Sequence, residues 1–159
     1  MTRLAIGYRI QALPAMSLND LRLSGLDASG NRVERLIASG GEPVRCCLRD
    51  AAAGEELILF GYEPPLPASP YREVGAVFAH ATPCAEPATE SRYPADWYGR
   101  PQVLRAYDKR GWIHPATQVH DGRDPEAAIR AVLADPTVAL LHSRNIAYGC
   151  FMFAAARNS

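Results

Sequence analysis

Thirteen prolines cut this chain into short pieces, and that punctuation limits its fold more than any other feature. Proline lacks a backbone N–H and has a fixed φ, so it is excluded from helix interiors and from the middle of sheets. Pro14 ends the first strand, Pro43 opens the segment that starts at Val44, and Pro64, Pro65, Pro67 and Pro70 rule out regular structure between them. Pro83, Pro87 and Pro94 fall in one long connection, while Pro115 and Pro136 interrupt later runs. The apolar runs left between them are short, and most alternate with period two, which is the pattern of strands.

Leu4, Ile6, Tyr8 and Ile10 alternate as a first strand. Residues 17–26 read as a short helix with Ser17 as N-cap, and residues 32–38 fit either a helical face or a strand. Val44 to Asp50 reads as a strand with Val44, Cys46 and Leu48 on one face and Arg45, Cys47 and Arg49 on the other. Leu57 to Phe60 is apolar on both faces, as in a central strand, and is expected to form a hairpin with that segment. Strands follow at 76–80, 102–107 and 112–120, the last weakened by Pro115. Asp124-Pro125-Glu126 is the best helix start in the chain: an N-cap acid, a proline suited to the first turn, and a second acid at the positive helix end. Strands at 138–142 and 150–156 complete the chain. The reading is an α+β fold, a mostly antiparallel sheet of about eight strands with one or two short helices. A single domain over 1–159 is expected, with one parallel crossover between residues 112 and 142.

Formal net charge is zero, so no global basic field points to nucleic acid or to an anionic membrane. No run approaches the ~20 apolar residues of a membrane span, and the first residues lack a signal-peptide pattern. The four cysteines do not follow a secreted disulfide framework. A soluble, reduced, cytoplasmic protein of bacterial style is expected. No P-loop, dinucleotide-binding glycine motif, nucleophile elbow or calcium loop is present in the sequence.

Four groups of residues could carry chemistry. Residues 142–151 hold His142, Arg144, Asn145, Gly149 and Cys150 between two apolar runs. There His142 could act as base, Asn145 or Arg144 as an oxyanion donor and Cys150 as nucleophile, or His142 could be a histidine at the edge of the core. Gly149 is expected to supply a turn conformation. His80, Cys84, His142 and Cys150 form a second set with the donor types of a tetrahedral zinc site, although their spacing matches no standard finger. Cys47 between Arg45 and Arg49 is a third, either an activated thiol or part of an anion site, with Cys46 assigned to the core. Arg105, beside Val103 and Tyr107, is a fourth, an ion-pair member or a ligand clamp.

Several pieces in order resemble one known family. They are Arg45-Cys-Cys-Leu-Arg49, Gly54-Glu55, Ser69-Pro-Tyr-Arg-Glu73, Gly75 and Phe78, then Leu104-Arg-Ala-Tyr-Asp108, Asp135-Pro-x-Val138, His142-x-x-Asn145 and Gly149-Cys150-Phe151. Together they resemble the bacterial domain of unknown function 1203 family. The resemblance implies a small soluble bacterial protein and brings no functional residue, activity or cofactor with it. The favoured functional reading is a binding domain for a small anionic ligand or a protein partner. Its pocket would use Arg45, Arg49, Arg105 and Arg144 under the 81–100 loop, need no cofactor, and be compatible with a homo-oligomer. The alternatives are an enzyme using Cys150 or Cys47 with His142, and a zinc protein.

Overall fold

The structure, a computed structural model, describes residues 6–84 and 88–158. Its strands in chain order are β1 (Tyr8–Gln11), β2 (Glu34–Ile37), β3 (Pro43–Val44), β4 (Arg49–Asp50), β5 (Glu56–Tyr62), β6 (Gly75–His80), β7 (Gln102–Tyr107), β8 (Gln118–His120), β9 (Leu140–Asn145) and β10 (Phe151–Arg157). The helices are α1 (Ala15–Ser24) and α2 (Pro125–Leu133). The start of the expected first strand, at Leu4, lies outside the described residues.

The strands form two five-stranded sheets, not one sheet of eight. The first, in order β1-β10-β9-β7-β8, is antiparallel throughout. The second runs β2-β5-β6-β3-β4 and contains one parallel bridge, Val44 to Phe78. The expected hairpin between residues 44–50 and β5 does not form. Instead β5 pairs with β2 and β6, and the 44–50 segment folds back on itself as the tiny β3–β4 pair. Residues 32–38 resolve as the edge strand β2. The crossover is present in a modified form: β8 and β9 both run antiparallel to β7, so they are parallel to each other with β7 between them and α2 in the connection.

Helix α2 follows its sequence signal. Asp124 accepts a hydrogen bond from the Ala127 N–H at 3.1 Å, and Pro125 occupies the first turn. Ile129, Val132 and Leu133 are buried, each contributing about 1.5–3 kcal/mol. Helix α1 begins at Ala15 after Pro14, so Ser17 lies inside it rather than capping it. Its C-terminus is closed by Gly25 at φ 70°, whose N–H donates to the Leu21 carbonyl.

Two apolar cores lie against the first sheet. One gathers Ile129, Val132, Leu133, Leu104, Leu141 and Phe153 with Tyr93 and Trp97 of the long connection. The other gathers Leu57, Phe60, Val77 and Ala79 of the second sheet with Leu13 and Leu18. Strand β10 serves both: Met152, Phe153 and Ala155 belong to the first core, and Phe151 and Ala154 to the second. A bulge between Phe151 and Phe153 re-aims the alternation so that both faces are filled. Trp97 stacks on Phe153 at 6.2 Å, so the long connection docks as part of the main core.

Candidate metal centre

The site begins with a broken strand. Residues 45–48 are turn, not strand, and Leu48 sits at φ 53°, a left-handed conformation that a branched side chain rarely adopts. In a strand, adjacent side chains point to opposite faces, which would part Cys46 from Cys47. The turn instead brings both thiols to one place, while Leu48 enters the first core and holds the turn down. Buried Arg45 fixes the other side: its Nε donates to the Phe151 carbonyl of β10 at 2.8 Å, and its Nη1 to the Pro43 carbonyl. Burial lowers the Arg45 pKa to about 10, so it stays charged at neutral pH.

The end of β6 supplies the second half. Strand β6 pairs in parallel with β3, so its last residue, His80, arrives beside the cysteine turn. Cys84 follows in the next loop. Among the described residues, Cys46, Cys47, His80 and Cys84 are the one group of this kind, with all four donor atoms within 4.8 Å of one another. His80 Nδ1 lies 3.6 Å from Cys46 Sγ, 3.7 Å from Cys47 Sγ and 3.2 Å from Cys84 Sγ. A tetrahedral zinc ion would hold nitrogen and sulfur donors about 3.5 Å apart and two sulfurs about 3.8 Å apart. The nitrogen–sulfur distances match. Cys46 and Cys84 are closer, at 2.6 Å, and would open by about 1 Å around an ion.

Glu55 decides which imidazole nitrogen faces the sulfurs. His80 Nε2 lies 3.0 Å from Glu55 Oε2. Glu55 is held by a bidentate Arg49 pair at 3.0 and 2.8 Å and by the Ala52 N–H. The Arg49 hydrogen bonds, ahead of the Ala52 contact, push the Glu55 pKa down to about 2. An ionised carboxylate can only accept, so Glu55 favours a proton on Nε2 and leaves Nδ1 as the nitrogen that faces the three sulfurs. This carboxylate–histidine arrangement is the usual support of a metal-binding imidazole. Helix α1 adds a clamp, because Arg22 donates to the carbonyls of His80 and Thr82.

The three thiols are electrostatically unequal. Cys46 accepts hydrogen bonds from Cys47 and Cys84 and from the His80 backbone N–H, which lowers its pKa. Cys47, hydrogen-bonded to that sulfur, is pushed up, and so is Cys84. Three cysteine sulfurs and one imidazole nitrogen are a donor set suited to a borderline-soft cation.

The remaining candidates fall elsewhere. The zinc set His80, Cys84, His142 and Cys150 does not assemble: His80 and Cys84 meet Cys46 and Cys47, and neither His142 nor Cys150 is part of that cluster. Buried His142 places Nε2 at 3.1 Å from the Pro65 carbonyl, between the rings of Tyr107 and Phe151. Burial is the main cause that lowers its pKa to about 4, leaving a neutral imidazole in an aromatic setting. Asn145 closes the β9–β10 turn, accepting from the Cys150 N–H at 3.1 Å. Gly149 in that turn has φ 71°, the conformation expected of it. Cys150 Sγ points to the Tyr148 carbonyl at 3.9 Å.

The four arginines do not converge on one pocket, because each is already engaged by a backbone carbonyl or an acid. Arg45 serves backbone carbonyls and Arg49 serves Glu55, while Arg105 and Arg144 share Glu73. The 81–100 connection puts Tyr93 and Trp97 into the core rather than over those arginines. Sequence reasoning missed Glu55 and the cooperation of Cys46 with Cys47. The available signal was the vicinal cysteine pair itself together with His80-x₃-Cys84.

The match to known proteins covers the same ground. The family model described as "Protein of unknown function (DUF1203)" matches residues 41–157. This chain belongs to that family. All four clustered residues and Glu55 lie inside the matched span. No curated protein and no solved structure matches the chain. No helix among the described residues is long and apolar enough to cross a membrane.

Proposed function

We propose that this protein binds a divalent metal ion, zinc foremost, at Cys46, Cys47, His80 and Cys84, and that the ion is a resident structural centre. The observation that carries this reading is the convergence of four donor atoms within 4.8 Å around an imidazole oriented by Glu55 and Arg49. Three thiolates and one imidazole complete a tetrahedral shell with protein atoms alone, which is the pattern of closed, structural zinc sites. The stake is large, since structural zinc contributes about 10–16 kcal/mol in small zinc-folded peptides. A reducing compartment, such as the cytoplasm of a bacterium, suits three thiols kept in contact without a bond.

Native mass spectrometry of protein purified without chelator tests it. A zinc-sized increment that disappears on mild acidification supports the centre. The bare polypeptide mass after exposure to stoichiometric zinc would sink it.

A second reading has its own observation. Cys46 and Cys84 line a cavity of about 610 Å³ walled mainly by apolar residues of β1, α1 and β10. In a metal-free protein, Cys46, His80 and Glu55 stand in the order nucleophile, base, orienting carboxylate. That enzyme would use His80, not His142, as its base. Rapid alkylation of Cys46 at neutral pH in protein shown to be metal-free would favour it over the structural centre.

A further inference from the structure

We infer that Cys46 and Cys84 are a peroxide-oxidisable pair, and that forming a disulfide between them expels the metal from the centre. The inference rests on the metal reading for its consequence, but not for the identity of the pair.

Three sulfurs share the site, so three pairings are conceivable, and the geometry selects one. Cys46 and Cys47 are neighbours in sequence, with Cα atoms about 3.8 Å apart, short of the ~4.4–6.8 Å that a relaxed disulfide spans. Cys46 and Cys84 come from different segments and already place their sulfurs 2.6 Å apart. Cys47 also hydrogen-bonds to Cys84, but it is not part of the wall of the cavity that Cys46 and Cys84 share. Access points the same way. Cys46 and Cys47 are each about one-twelfth exposed, at 8%. Cys84 is half-buried, and it forms part of the wall of the 610 Å³ cavity. A peroxide molecule entering that cavity meets Cys84 as the more exposed of the two sulfurs that line it. Cys150 is also half-buried but lies outside the cluster, so it has no sulfur neighbour within it.

The chemistry balances with hydrogen peroxide as the named oxidant. In the zinc-loaded centre, where all three cysteines would be bound as thiolates, the Cys84 sulfur attacks one peroxide oxygen, the O–O bond breaks, and hydroxide leaves a sulfenic acid behind. The Cys46 sulfur then attacks the Cys84 sulfur, an S–S bond forms, the S–O bond breaks, and a second hydroxide departs. The two hydroxides take two protons from solvent and become water. Peroxide is reduced by two electrons, and the two thiolates are oxidised to one disulfide. The metal then retains only Cys47 and His80 among its protein ligands, too few to hold it against water.

The experiment treats the zinc-loaded full chain with a small excess of hydrogen peroxide and follows zinc with a metallochromic dye, free thiols, and peptide mapping without reduction. The expected result is release of about one equivalent of zinc with loss of about two thiols. Their sulfurs should be found in a Cys46–Cys84 disulfide, and dithiothreitol with added zinc should restore the starting state. A Cys46–Cys47 or Cys47–Cys84 disulfide, or oxidation at Cys150 with zinc retained, would overturn the inference. If the chain takes up no zinc, the metal reading fails, and mapping of the peroxide-treated metal-free chain still decides whether Cys46 and Cys84 pair. Cys84→Ser should abolish the intramolecular disulfide, and Cys150→Ser should leave both zinc release and disulfide unchanged.

Discussion

Two buried histidines in this molecule were dealt opposite surroundings. His80 and His142 both lie in strands and are both buried, and both point Nε2 at an oxygen. For His80 that oxygen is a carboxylate, and Nδ1 faces three sulfurs. For His142 it is the Pro65 carbonyl, and Nδ1 faces aromatic rings with no hydrogen-bond partner. The lesson is that the second nitrogen decides what a buried imidazole can do. With soft donors opposite, it is placed to serve as a ligand; with Tyr107 and Phe151 opposite, it is packing that happens to carry a polar atom. The guanidinium groups follow the same division. Arg49 strengthens Glu55 beside His80, whereas Arg105 and Arg144 stand near His142 and oppose its protonation.

The contrast breaks most visibly at the ligands. Cys46→Ser combined with Cys84→Ser should abolish zinc binding, a loss of at least about three orders of magnitude. His142→Phe should leave zinc stoichiometry at the wild-type value. Competition with a calibrated chelator reads both, and equal losses in the two proteins would erase the distinction between the sites. Next in size is the response to acid. An unfolded histidine titrates at its ordinary 6.5, while folded His142 titrates at about 4. As pH falls from 6.5 toward 4, the unfolded chain gains a proton that the folded chain refuses, so stability is lost over that window. The loss is at most ~3 kcal/mol. Denaturant midpoints of the metal-free protein, compared with those of His142→Phe, should show a steeper acid decline in the wild type. Parallel curves would refute the assignment.

Smaller effects sharpen the comparison further. Glu55→Gln keeps an acceptor for His80 but loses the charge that Arg49 and the imidazole share. Zinc affinity should fall by about 10–100-fold with little change in fold. An unchanged affinity would demote Glu55 to a surface ion-pair partner of Arg49. Glu73→Gln is expected to do least. The Glu73 carboxylate is about half exposed, and its pairs with Arg105 and Arg144 should contribute no more than ~1 kcal/mol. Thermal unfolding in moderate salt measures that, and zinc content should not change.

Much of the scaffold was legible in the residues. Short apolar runs located β6 and β10, the shared face of Val103, Arg105 and Tyr107 located β7, and Asp124-Pro125-Glu126 located α2, because those signals are local. The division into two sheets was not legible, since it depends on which strand finds which neighbour. Leu57 to Phe60 read correctly as a central strand, yet its partners lie at 34–37 and 75–80 rather than in the segment just before it. The same non-locality hid the centre. His80 and Cys84 are four residues apart and were visible as a pair. Their companions were misassigned because residues 44–50 look like a strand, and a strand separates Cys46 from Cys47. The left-handed Leu48 breaks that strand, and nothing in a leucine announces such a conformation.

The parallel bridge between β3 and β6 has a consequence for the unfolded chain. Through it the centre ties Cys46 to residues 34 and 38 positions further on, enclosing β4, β5, β6 and the proline-rich stretch in one loop. A covalent link across 38 residues raises the free energy of the denatured ensemble by ~4 kcal/mol at room temperature, through its lost chain entropy. A metal held by the same residues restrains that ensemble only while it stays bound. Oxidation would therefore exchange a metal-held cross-link for a covalent, reducible one at the same crossing point. The oxidised protein would lose its ion but keep the loop closed, and so could recover the native arrangement on reduction without searching for it again.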